Sequence, residues 1–274
     1  MVAGHGYRGP VIPPGSRYVA LGSSFASGPG IDPIVHAPAG RSGNNYAHLV
    51  AAELGLELTD VTYSGATTAN LLDTRQDEAA PQLDAVTPDT ALVTITVGGN
   101  DLDYVGTFIR GSFLNLLARP ATVFGRRVAN RIRARVSYLK DDAAYQAVTD
   151  SLVSVVEGVR ERAPEARILL VDYLTLVGPS TRPRRDVPLN EEQLPSVAMM
   201  ADGLAAAFAK AAATTGADLI TASAASRDHA IGSSEPWTTG FSRGPFGRLG
   251  GFVPYHPNAA GMRAVADLIV QTLR

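Results

Sequence analysis

The sequence predicts an α/β fold, a mostly parallel sheet with helices on both faces. Two observations carry this expectation. Short β-branched, apolar runs ended by small residues alternate along the chain with stretches of helical periodicity, the pattern of repeated strand–helix–strand units. The chain has 274 residues, 45% hydrophobic and 18% charged, which is enough apolar material for one large core and too much for a disordered chain.

The elements follow in order. "RYVALG" (Arg17–Gly22) reads as a buried strand stopped by glycine. "NNYAHLVAAELG" reads as a helix, started by Asn44 or Ser42 and ended at Gly55. Residues 56–63 form a second expected strand, and residues 90–99 a third, the strongest by composition. Residues 141–163 carry Ala144, Val148, Leu152, Val155, Val156 and Val159 at helical spacing, closed by Pro164. Residues 167–174 are a fourth strand. Residues 191–215 are an alanine-rich helix whose true start should lie near Pro195. "ADLITAS" is a fifth strand, and residues 258–273 a closing helix. No repeat and no dividing linker is visible, so residues 1–274 are expected as one domain.

Composition excludes several classes of function. The chain contains no cysteine, which removes disulfides, thiolate catalysis and Cys-ligated metals. A formal net charge of −2 argues against nucleic acid as a partner. No run of 18 apolar residues suggests a membrane span, and residues 1–15 lack the apolar stretch of a secretory leader. A cytoplasmic location is the resulting expectation. No Walker loop, dinucleotide glycine fingerprint or H-E-x-x-H is present, and neither cofactor nor metal is expected. "GFSRG" matches G-x-S-x-G, but its flanks are loop-like, whereas a nucleophile elbow needs a strand before and a helix after.

Charge is unevenly spread. Residues 105–140 hold eight basic side chains (Arg110, Arg119, Arg126, Arg127, Arg131, Arg133, Arg135 and Lys140) and no acid. The stretch reads as a basic helical insertion. It can be a solvated face, a site for an anionic group such as a CoA phosphate, sugar acid or lipid headgroup, or a weak membrane-surface contact. Phe108, Ile109, Phe113, Leu114, Leu116 and Leu117 supply an apolar face beside the charges. Arg110, Arg126, Arg127 and Arg131, with His229 from another loop, are the candidate substrate-binding residues.

Four strand ends carry small or polar groups: "GSSFASGPG" after the first strand, "SGATTANLL" after the second, "GGND" after the third and "YHPNAAG" before the last helix. In a parallel sheet these meet at the carboxyl edge, where α/β proteins bind ligands. Ser24 sits on a strand-to-helix turn, and His256 can take its proton. Gly65 offers a backbone N–H and Asn100 a side-chain amide; with the Ser24 N–H they would form an oxyanion hole. Taken singly, each of these residues has an ordinary structural role as a cap, turn or backbone necessity; the ordered set is what points to chemistry.

These four blocks resemble those of the SGNH, or GDSL-type, hydrolase superfamily, whose Ser, Gly, Asn and His fall here on Ser24, Gly65, Asn100 and His256. The likeness runs over residues 18–274 and is closest to the actinobacterial branch. It implies a flavodoxin-like three-layer α/β/α sandwich with a five-stranded parallel sheet. Three departures stand out. The usual G-D-S reads Gly22-Ser23-Ser24, which makes Ser23 a competing nucleophile. The usual acid three residues before the histidine is replaced by Val253, so its backbone carbonyl is expected to orient His256, with Glu235 and Asp228 as alternatives. The cysteines of secreted relatives are absent, in keeping with a reducing compartment.

The resemblance implies an acyl-enzyme on Ser24, with an ester or acyl-CoA as donor. Water as acceptor gives an esterase or lipase. A carbohydrate acceptor gives a transferase, and "ALGSSFASGPGI" with the absent cysteines resembles mycobacterial sugar octanoyltransferases. The expectation leads with transfer of a medium-chain acyl group to a glucosylglycerate-type acceptor, with the esterase second and a non-catalytic binder of anionic ligands third.

Overall fold

The computed structural model describes residues 12–121, 125–241 and 253–274. Most of residues 1–15, which lack a secretory leader's apolar stretch, and "GFSRG" from Ser242 onward, lie outside the described residues.

Five parallel strands form one sheet in the order β4-β1-β5-β6-β7: β1 (Arg17–Gly22), β4 (Glu57–Asp60), β5 (Thr90–Thr96), β6 (Arg167–Val171) and β7 (Asp218–Ile220). A small antiparallel pair, β2 (Ile34–His36) and β3 (Arg41–Ser42), lies apart from it and has no counterpart in the sequence expectation. β1, β5 and β6 are buried almost throughout, as continuous apolar runs in a covered parallel sheet should be. β4 is an edge strand and stops earlier than its apolar pattern suggests. Asp60 turns back to accept from the Thr62 N–H and hydroxyl (2.9 and 2.6 Å), which takes the chain out of the strand.

Helices cover both faces. α2 (Tyr46–Leu54) packs against the closing helix α9 (Ala259–Leu273). α3 (Thr68–Leu72), α6 (Asp142–Arg162) and α7 (Gln193–Thr215) pack together on the other side. α2 begins on Asn45, whose side chain accepts from the His48 N–H, rather than on Asn44 or Ser42, and it ends on Gly55 in the left-handed region. α7 starts before Pro195, which falls in its first turn, where a missing N–H costs no helical hydrogen bond. α7 is long and apolar enough to cross a bilayer by composition, but Val197, Met200, Leu204, Ala207 and Phe208 on it are buried in the core. The basic stretch forms α4 (Tyr104–Ala121) and α5 (Arg126–Arg133). Phe108 of its apolar face is core, whereas Phe113 and Leu117 are exposed.

The strand order reverses at β1. The chain goes from β1 outward to β4, then returns past β1 to β5. The register pairs Ala20 with Asp60 and Gly22 with Thr96, so the carboxyl ends of β1, β4 and β5 lie side by side. This switch point is where such sheets leave a crevice, and three of the four polar blocks follow those strands.

Candidate active site

The turn after β1 is built around Gly22. Its φ is +150°, and a Cβ there would stand 2.5 Å from the Thr96 carbonyl oxygen, so only glycine fits. The Gln82 side chain holds both its backbone groups, accepting from its N–H (2.7 Å) and donating to its carbonyl (3.1 Å). Ser23 donates its N–H to the Thr96 carbonyl (2.8 Å), and its hydroxyl meets Tyr173 Oη at 3.2 Å. Ser24 is the first residue of the short helix α1 (Ser24–Ser27).

Ser24 Oγ lies 2.8 Å from His256 Nε2, and both residues are buried, at 7% and 8% exposure. The other ring nitrogen, Nδ1, lies 2.7 Å from the Pro254 carbonyl oxygen. A carbonyl can only accept, so Nδ1 carries the proton and Nε2 is left as the lone pair facing the serine. This decides between the two serines: the imidazole addresses Ser24, and Ser23 is engaged with Tyr173.

The orienting carbonyl is that of Pro254, which corrects the assignment to Val253. The Val253 carbonyl is occupied by the Thr239 hydroxyl (2.6 Å), which also accepts from the His256 N–H (3.1 Å). Tyr255 adopts φ +59°, a left-handed turn that brings the preceding carbonyl back toward the ring of the following residue. Its hydroxyl at 2.5 Å from Ser112 Oγ and its N–H to the Thr239 carbonyl (3.1 Å) hold that turn. With Nδ1 so engaged, neither Glu235 nor Asp228 serves as its partner. Burial pushes the His256 imidazole down to about 4, only partly offset by the Pro254 hydrogen bond. The ring therefore stays neutral, as a base must be, over the whole physiological range.

On the donor side, Asn100 lies next to the Gly65 turn. Asn100 Nδ2 donates one hydrogen to the Ala66 carbonyl (2.8 Å), which ties it beside Gly65 and leaves its second amide hydrogen for another acceptor. Gly65 has φ +86°. Asp101 accepts from the Thr68 N–H (3.2 Å) and hydroxyl (2.5 Å), joining the block after β5 to the first turn of α3. Ser27 Oγ and Ser64 Oγ, 3.0 Å apart, join α1 to the Gly65 turn. The arrangement can activate a hydroxyl against a carbonyl carbon and offer amide hydrogens to the resulting oxyanion. Among the described residues no group of three or more His, Asp or Glu converges to hold a metal.

Three supporting residues escaped the sequence reading. Tyr173 Oη accepts from the Gly99 N–H (2.9 Å), and its ring packs on Phe25, which in turn lies 5.5 Å from the His256 ring. Gln82 and Thr239 are the others. None belongs to a recognisable block; only their contacts mark them. Tyr173 also lines an apolar cavity of about 590 Å³, walled by Tyr104, Val177, Leu194, Ala198 and Leu204.

The candidate substrate residues divide. Arg110 is committed to Asp103 at the start of α4. Arg127 and Arg131 are exposed on α5 and line neither large cavity. Arg126 lines a separate polar cavity with Arg119, Arg133 and Arg184. His229 stacks on Trp237 (centroids 4.0 Å apart, 7° between planes), with Nδ1 at 2.9 Å from the Glu235 carbonyl, and so holds its own loop together.

The chain is 33% identical over 264 residues to Lipase 2 of Streptomyces coelicolor, covering 93% of this chain and 85% of that protein. It superposes on the crystal structure of an extracellular lipase from Streptomyces rimosus with a TM-score of 0.68 at 27% identity, covering 93% of this chain and 98% of the other. A phospholipase A1 from Streptomyces albidoflavus shares the fold at 24% identity and a TM-score of 0.67, covering 94% and 98% of the two chains. Residues 20–264 match the model of the GDSL-like lipase/acylhydrolase family, and on a match of that extent the chain belongs to this family of ester hydrolases.

Proposed function

We propose that the protein hydrolyses carboxylic esters through an acyl-enzyme on Ser24. Ser24 Oγ attacks the ester carbonyl carbon while its proton passes to His256 Nε2, and the Pro254 carbonyl keeps Nδ1–H pointing away from the reaction. The oxyanion receives hydrogen bonds from the Ser24 and Gly65 N–H groups and from Asn100 Nδ2. Collapse of the tetrahedral intermediate breaks the bond to the leaving alcohol, which takes the proton from His256. Water then repeats the sequence and releases the acid. The observation that carries the reading is the 2.8 Å Ser24–His256 contact with the far nitrogen of the ring fixed by a carbonyl.

Relatives named as lipases support water as the acceptor. They lend nothing to the expected transfer of an octanoyl group from acyl-CoA to a sugar, and hydrolysis takes its place. A cytoplasmic setting, suited to a cysteine-free chain, is part of the same proposal. The test is hydrolysis of p-nitrophenyl esters of increasing chain length by the protein and by Ser24→Ala, with mass spectrometry after a fluorophosphonate. Turnover by the parent alone, with the adduct on Ser24, is expected. Equal turnover by both, or an adduct elsewhere, overturns the proposal.

A further inference from the structure

The polar cavity against α5 gathers several arginines. It has a volume of about 730 Å³ and is lined by Arg119, Arg126, Arg133 and Arg184, which reach it from α4, from α5 and from the loop before α7. Glu191 and Glu192 also line it, with Asn115, Asn130 and Asn190 among the neutral residues. Four guanidinium groups against two carboxylates leave it two net positive charges. Yet Arg126, Arg133 and Arg184 form no ion pair among the described residues, and the residues outside that description contain no Asp or Glu. Glu191 and Glu192 offset only part of the positive charge gathered in this concavity, and the excess attracts an anion.

Local contacts involve three of the arginines. Arg184 has φ +64°, a left-handed backbone that a non-glycine residue adopts only when its surroundings impose it. Its N–H donates to the Leu189 carbonyl (2.9 Å), and its own carbonyl accepts from Arg119 Nη2 (3.3 Å). Arg133 donates from Nη1 to Asn130 Oδ1 (3.1 Å), but its Nε is buried with no hydrogen-bond partner. A guanidinium offers five N–H donors, and this one is largely unused by the protein.

We infer that this cavity binds a phosphoryl group. A phosphate monoester carries about −1.5 to −2 charges near neutral pH and three acceptor oxygens, matching both the net charge of the lining and donors that approach from several directions. The cavity is far larger than one ion, so the phosphoryl group would be carried by a larger molecule. Glu191 also lines the apolar cavity that reaches Tyr173, so the two spaces adjoin. The phosphoryl group can thus belong to the ester substrate or to a separate phosphorylated molecule.

The binding test does not depend on Ser24 chemistry. Inorganic phosphate is titrated calorimetrically at low salt into the protein, into Arg126→Gln/Arg133→Gln, and into Arg127→Gln/Arg131→Gln, a variant with the same charge change on the exposed side of α5. The first variant should weaken binding by about tenfold or more per arginine and the second much less. Hydrolysis of a neutral p-nitrophenyl ester should be unchanged in both. The source is then read from hydrolysis of an acylglycerol phosphate. A fall in kcat/KM confined to the cavity variant places the phosphoryl group on the substrate, and an unchanged value places it on a separate ligand; either result supports the site. No phosphate binding by the parent protein, or equal weakening in the two variants, overturns the inference.

Discussion

Acid should switch this site off far lower than an exposed histidine would allow. His256 is buried and lowered from 6.5 to about 4. At pH 5 a group of that affinity is only about one-tenth protonated, whereas an unperturbed imidazole would be almost fully charged and unable to act as a base. The acid limb of kcat/KM for a neutral ester should therefore have its midpoint near pH 4, with activity nearly flat from pH 5.5 to 7. The rate is read at the isosbestic wavelength of p-nitrophenol, and the His256 ring proton is followed by NMR in Ser24→Ala. The same shift is a statement about stability. The unfolded chain binds a proton below about pH 6.5 that the folded protein refuses until about pH 4, so this group's contribution falls as the pH is lowered through that window, by up to about 3 kcal/mol. A kinetic midpoint at pH 6 to 6.5, with the ring titrating alongside it, would refute the reasoning that burial governs this base.

Asp172 provides the opposite slope. Burial raises its carboxyl from 3.8 to about 6, although it accepts from the Ser223 N–H (2.7 Å) and hydroxyl (2.5 Å). A raised carboxyl contributes stability below pH 3.8 and loses it as the pH rises through about 6, so Asp172→Asn should gain relative to the parent by up to about 3 kcal/mol between pH 4 and 6.5 in urea melts; a pH-independent difference would contradict this. Asn100→Ala should lower kcat by about 10²–10³ with little change in KM, since the lost donor serves the oxyanion, and a change in KM alone would point to a substrate contact instead. Tyr173→Phe strands the buried Gly99 N–H and should cost about 1–3 kcal/mol of stability, with a modest loss of kcat as the turn carrying Ser23 and Ser24 loosens. Unchanged melting would show that water replaces the hydroxyl.

Much of the architecture is written locally. β1 and β5 are short apolar runs bounded by glycine or small residues, and α2, α6 and α9 carry both their apolar stripe and their caps, so each can be read without its neighbours. β4 is read too long because its end is set by a side chain folding back, not by hydropathy. The β2–β3 pair is missed because its strands are exposed or two residues long and carry no apolar alternation.

The same division runs through the site. Ser24 and His256 are legible because each occupies a fixed place after a strand or before a helix, and chain order alone encodes such places. Which atom orients the imidazole is not encoded that way. Val253 and Pro254 both offer a carbonyl, and the choice falls to a left-handed Tyr255 and to Thr239, 14 residues from Val253, which claims the Val253 oxygen. The partners of the basic residues were likewise undetermined: Arg110 finds Asp103, while Arg184 joins Arg126 and Arg133 from a distant loop. Hydrophobic period and turn chemistry act over a few residues and so survive in the sequence. Hydrogen-bond competition and charge convergence act through space, and only the packed chain decides them.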